Sequence, residues 1–231
     1  MKTLTFDETR DFPYYNNNPR ISKTGWMILL LTVPLSFLSY MIIGKSSEIA
    51  GSIAFCFIML IPLLYYSNWD YRLILQKPNR NEIILAVLMF VCYMIYSLIM
   101  GEILEMFHLT GLGISEGMDI NPEMTFSLIF SLMAEELLKF IPLMFFMRLF
   151  YRLTSKRKLS LIISTVIVLT CFGLIHYDPA TTTIISVLLI QGLGSTVGVY
   201  GYIKTKNLFV PYISHLLIDG IVFILVLLGL T

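Results

Sequence analysis

Charge is what this chain lacks most: only 13% of its 231 residues are Asp, Glu, Lys or Arg, while 57% are hydrophobic. A soluble domain carries roughly a quarter charged residues, so water is excluded as the main solvent. Net charge is also nearly absent, at +1, and no basic run is interleaved with stacking aromatics, which excludes a nucleic-acid partner. Cysteine is scarce too. Cys56, Cys92 and Cys171 are odd in number, lie inside apolar blocks and have no paired spacing, which excludes a disulfide framework and leaves them as small core residues. Residues 1–24 are polar and hold no apolar run of the kind found in a cleavable secretion signal, so the expectation is insertion by the first apolar block itself.

What the chain has instead is apolar length. Seven blocks, 25–44, 49–67, 83–101, 124–147, 159–177, 180–203 and 208–230, each hold about the 20 residues that cross a hydrocarbon core. The expected fold is all-α, a polytopic bundle of about seven spanning helices in contact with membrane lipids. It divides into a polar cytoplasmic segment (1–24), N-terminal helices with an acidic outer loop (25–123) and a later group of helices (124–231). Alternating loops place every Lys and Arg except Lys45 and Lys139 on one side, so the N-terminus is expected in the cytoplasm. The loop from Glu102 to Glu123 has five acidic residues and no basic one, and reads as a solvated acidic loop whose His108 is an ordinary interfacial histidine.

Ionisable groups at membrane depth cost about 2.5–3.5 kcal/mol each on insertion scales, so those inside the blocks need a reason. They form three clusters. In AEELLKF, Lys139 stands four residues after Glu135 and three after Glu136, placed to serve both carboxylates from one helix face. In CFGLIHY, Phe172 precedes His176 by one turn, and in HLLID, Asp219 follows His215 by one turn, a spacing suited to a carboxylate that orients an imidazole. Taken singly, each has a bland reading: a structural ion pair, a packed histidine, a satisfied polar pair. Two Glu and two His on three helices, with few other intramembrane charges, point together to a site.

The three motifs, in this order, resemble the CPBP family, also called the Abi or CAAX-protease family, of intramembrane glutamate proteases, whose pattern is EExxxR, FxxxH and HxxxN or HxxxD. The resemblance runs from about Phe126 onward, and the stretch GLGSTVGVYGYIKTKNLFVPYISHLLID is similar to the family's glycine-rich helix and final motif. The family's Arg position is Phe140 here, with Lys139 one residue early, and Asp219 stands where many members have Asn. The resemblance implies metal-independent hydrolysis of a membrane-associated peptide or protein, with no cofactor. Glu135 and His176 would activate water, Glu136 would hold the helices together or position His176, and His215 with Asp219 would stabilise the oxyanion. Two alternatives stand beside it: a zinc protease using the same Glu and His, although HExxH is missing, and a non-enzymatic immunity scaffold or small transporter. By block counting Glu135 lies mid-span, His176 near an outer end and His215 nearer an inner end, an apparent mismatch of depth.

Overall fold

A computed structural model describes residues 4–7, 9–109 and 122–228. Among the described residues eight α-helices follow one another: α1 (Lys23–Ile43), α2 (Glu48–Tyr66), α3 (Arg80–Met106), α4 (Pro122–Thr154), α5 (Arg157–Leu174), α6 (Ile184–Val187), α7 (Thr196–Thr205) and α8 (Phe209–Leu227). A π-helical segment, Leu188–Leu193, joins α6 to α7, and a single 3₁₀ turn, Tyr71–Leu73, lies between α2 and α3. No strand occurs among the described residues. Six helices, counting Ile184–Thr205 as one, are long and apolar enough to cross a membrane, as expected of a multi-pass membrane protein. The remaining block, 124–147, is α4, whose Glu135, Glu136, Lys139, Arg148 and Arg152 make it the most charged helix. The acidic loop's residues 110–121 lie outside the described ones; His108 is exposed just past α3.

Helix ends follow from local chemistry. Ser22, Ser47 and Asn79 cap α1, α2 and α3 through their side chains, and Asn79 with Glu82 forms a reciprocal capping box. Glu123 of α4 reaches across to the start of α2, where its Oε1 accepts from Ser47 Oγ and the Glu48 N–H, each at 3.1 Å. A carboxylate there meets the positive end of the helix dipole.

α4 is central, packing on α1, α2, α5 and α8. Its 33 residues span about 50 Å, whereas the 18 residues of α5 cover about 27 Å. α5 turns back immediately after α4, with Thr154 Oγ1 and Ser160 Oγ 3.2 Å apart at the turn. Antiparallel to a longer partner, α5 therefore ends beside the middle of α4, with Lys139 Nζ standing 4.6 Å over the Phe172 ring. The apparent depth mismatch is thus a mismatch of helix lengths.

Residues 9–22 are more than a polar leader. Phe12, Tyr14, Tyr15 and Ile21 are buried, and Tyr14 meets Trp26 and Phe140 edge-on. Arg148 donates to the Tyr14 carbonyl at 2.9 Å and to Asn17 Oδ1 at 3.0 Å, Arg10 pairs with Glu82 of α3, and Arg157 pairs with Asp11. Burial holds the Tyr14 phenol well above its ordinary range and, with its bond to Asp11, pushes Tyr15 up to about 12. The segment closes the basic end of the bundle. At the same end the α2–α3 loop and the α7–α8 turn are laced together: Asn207 donates to the Gln76 carbonyl at 2.9 Å and accepts from the Gln76 N–H at 3.1 Å, and the Leu208 N–H donates to the Ile74 carbonyl at 2.9 Å. That lacing fixes where α8, the helix of His215, begins.

The cysteines differ from the sequence reading. Cys56 is buried, but Cys92 and Cys171 are exposed on the outer surface of the bundle, where a small apolar side chain faces lipid at no cost.

Candidate active site

α4 places Glu136 and Lys139 on its buried face one turn apart, each side chain about 5–6% exposed. Lys139 Nζ donates to Glu136 Oε1 at 2.6 Å, and His215 Nδ1 from α8 binds the same oxygen at 2.8 Å. Lys139 therefore serves Glu136 alone, contrary to the expectation of a shared ammonium: Glu135, the next residue along the helix, turns its carboxylate about 100° away. Its Oε2 lies 3.8 Å from His215 Nε2, too far for a direct hydrogen bond.

His215 is therefore held by an acid other than the one its spacing suggested. Glu136 takes Nδ1, while Asp219 lies on the other side of the ring, with Oδ2 3.5 Å from Nε2. The i,i+4 spacing brings Asp219 to the right helix face, but it puts the carboxylate beside the nitrogen that faces open space, leaving orientation of the ring to Glu136. Glu136 likewise contacts His215 and not His176.

His176 lies just beyond the last turn of α5. Its Nδ1 is 2.8 Å from the Phe172 carbonyl oxygen, and the two rings pack edge-on at 4.8 Å between centroids. With Nδ1–H donating to that carbonyl, the neutral ring presents Nε2 for other work. Phe172 thus has two duties, carrying the carbonyl that fixes His176 and lying under the Lys139 ammonium.

Glu135, Glu136, Lys139, Phe172, His176, His215 and Asp219 all line one cavity of about 490 Å³. A second space of about 400 Å³, walled by α1, α2, α4 and α8, shares Glu135, His176 and Asp219 with the first, so these three stand between two lobes. The first lobe is completed by residues the sequence reading did not single out: Tyr93 and Ser97 of α3, Gln191 of the π-helical segment, and Ser195. The available signal was the pair Tyr93 and Tyr96 in an otherwise apolar span, since a phenol at that depth needs a polar neighbour. Tyr96 has one, donating to the Leu189 carbonyl at 2.7 Å.

Phe140 points away from this cavity. It is 2% exposed and packs between Tyr14 and Tyr202, with centroids 6.4 and 5.3 Å away. Along α4 the cavity face falls on Lys139, so the cation sits at 139 and position 140 belongs to the aromatic core. For a metal, no three His, Cys, Asp or Glu side chains among the described residues are grouped to hold an ion.

Residues 120–221 match a family model described as type II CAAX prenyl endopeptidase Rce1-like. The match begins just before α4, ends within α8 and contains every one of the seven residues above. No curated protein and no solved structure matches the chain.

Proposed function

Proceeding from an Rce1-like domain at residues 120–221, consistent with the CPBP family, we propose that the protein is a metal-independent intramembrane endopeptidase that hydrolyses a membrane-associated peptide or protein. The observation that carries this reading is the meeting of Glu135, His176 and His215, from three helices, around one cavity. Glu135 is the general base: its carboxylate is half-buried, lines both lobes and, among the described residues, has no closer ionic partner than His215 Nε2 at 3.8 Å. It takes a proton from water as the water oxygen bonds to the scissile carbonyl carbon. His176 stands beside it with Nε2 open and shares that proton.

As the carbonyl π electrons move onto oxygen, His215 in its protonated form donates from Nε2 while Nδ1–H stays on Glu136. Collapse of the tetrahedral intermediate re-forms the carbonyl and breaks the C–N bond, and the proton held by Glu135 passes to the leaving amine. Glu136 and Lys139 orient His215, and Asp219 flanks its Nε2. The gathering of Lys and Arg at the end closed by residues 9–22 supports a cytoplasmic N-terminus in the cell membrane.

The test is a comparison of new protein N-termini in membranes from cells expressing wild type or Glu135→Gln. Wild type is expected to generate cleavage products that the variant lacks, with a rate loss of about 10²–10⁴-fold for the variant on a purified substrate. Identical termini in both, with both proteins folded, would favour a scaffold and reject the protease. Exhaustive chelation is expected to leave the wild-type rate unchanged; loss restored by zinc would reject the metal-free mechanism.

A further inference from the structure

The cavity is short of hydrogen-bond donors where the mechanism needs them. His215 Nδ1 is committed to Glu136, and Nε2 has two carboxylates for neighbours, Asp219 Oδ2 at 3.5 Å and Glu135 Oε2 at 3.8 Å. An ionised carboxylate offers lone pairs and no proton. A carbonyl oxygen gaining negative charge there has one N–H on its side, that of His215 Nε2. Lys139 is bound to Glu136, and His176 Nδ1 to the Phe172 carbonyl.

α3, packed against α8 and the π-helical segment, supplies a further donor. Tyr93 lines the same cavity, and no group among the described residues hydrogen-bonds its hydroxyl. Asp219 and Glu135 line the same cavity as the phenol. Its ring is seated against Gly194: a Cβ on that residue would lie 2.9 Å from Tyr93 Cε2, so the bare backbone is what admits the ring. One turn along, the bond from the Tyr96 hydroxyl to Leu189 fixes α3 against the π-helical segment. Ser97, Ser195, Ser214 and the Gln191 amide also line the space, but a phenol is more acidic than a serine hydroxyl or an amide and the stronger donor to an anion.

We propose that Tyr93 is a catalytic residue whose hydroxyl donates to the scissile carbonyl oxygen, and to the oxyanion it becomes, together with the Nε2–H of His215. The inference rests on the hydrolytic reading above. Tyr93 keeps its proton throughout: its bond to the oxygen shortens as water adds and lengthens as the C–N bond breaks. It lies outside the family-matched segment, so the N-terminal helices take part in the chemistry as well as in packing.

The experiment compares wild type with Tyr93→Phe in liposomes, using a quenched peptide ending in farnesylated Cys-Val-Ile-Met and its phosphinate analogue, which mimics the tetrahedral anion. The expected result is a kcat lower by about 10²–10³-fold with KM changed by less than about threefold. Affinity for the phosphinate should fall alongside kcat, while affinity for the uncleaved peptide, measured in a Glu135→Gln background, stays put. 3-Fluorotyrosine at position 93 keeps the hydroxyl and should keep kcat within about threefold, which separates a lost donor from a lost fold. An unchanged kcat in Tyr93→Phe, or equal losses for peptide and phosphinate, overturns the assignment alone. If wild type cleaves neither this peptide nor any membrane protein in the N-terminus comparison, the protease reading falls and the assignment falls with it.

Discussion

At the scale of single residues, Glu136 is the pivot, because one oxygen accepts from both Lys139 and His215. Removing Lys139 leaves a buried carboxylate without its cation, and breaking such a pair costs about 3–5 kcal/mol. Lys139→Met should therefore lower the thermal unfolding midpoint in detergent markedly, and Glu136→Gln, which leaves the buried Lys139 ammonium without its anion and weakens the hold on His215, should lower both that midpoint and the catalytic rate. Phe140 gives the opposite lesson. Aligning motifs invites Phe140→Arg as a repair, yet that side chain is enclosed by Tyr14 and Tyr202. A guanidinium there has no acid partner, so the variant should lose on the order of 3–5 kcal/mol of stability and gain no activity, as unfolding and turnover measurements would show. Which residues matter was legible in the sequence, since isolated charges in apolar blocks stand out. Which acid meets which nitrogen was not: adjacent residues on a helix point about 100° apart, and only the packing of α8 decides which of the two carboxylates His215 reaches.

At the scale of elements, the contact between α5 and the π-helical segment sets the distance from His176 to the opposite cavity wall. Gly173 and Gly192 meet almost backbone to backbone: a Cβ on Gly173 would come within 2.9 Å of the Val187 carbonyl and 3.1 Å of Gly192 Cα. Backbone cannot move aside as a flexible side chain can, and small residues are what allow helices in membranes to approach this closely. Gly173→Ala should therefore lower both stability and turnover, and Gly173→Leu more so, checked by unfolding in detergent alongside proteolysis; Gly220→Ala, where nothing stands within 4 Å, is the matched control. Spans themselves were legible, as each of the seven blocks finds a helix. The sixth starts later than expected, at Ile184 in place of 180, and its middle is π-helical, because Asp178 and Thr181 to Thr183 turn the chain through side-chain bonds and the cap at Thr183 delays the helix.

For the whole molecule, unequal helix lengths make the site possible. α4 overhangs α5 by nearly half its length, so a residue at the end of one helix comes level with the middle of the other, a relation that block counting treats as a conflict. Orientation can be tested at this scale: single cysteines introduced at Lys158 and Lys45 should label from opposite sides of intact cells, with Lys158 reached only after permeabilisation. Closure of the basic end by residues 9–22 was not legible, since Phe12, Tyr14 and Tyr15 sit in a polar stretch and pack on Tyr202, Phe140 and Tyr151, far along the chain. That closure bears on the order of assembly. Tyr14 and Asn17 bind Arg148, and Asp11 binds Arg157, more than 130 residues later. During synthesis this segment can pack on Trp26 and Ser67 early, but it waits for its arginine partners until about two thirds of the 231 residues have been made, and only then does the bundle lock. Damage at Tyr14 should accordingly register as chains cleared by quality-control proteases before they mature, while the molecules that escape hydrolyse substrate at a normal rate.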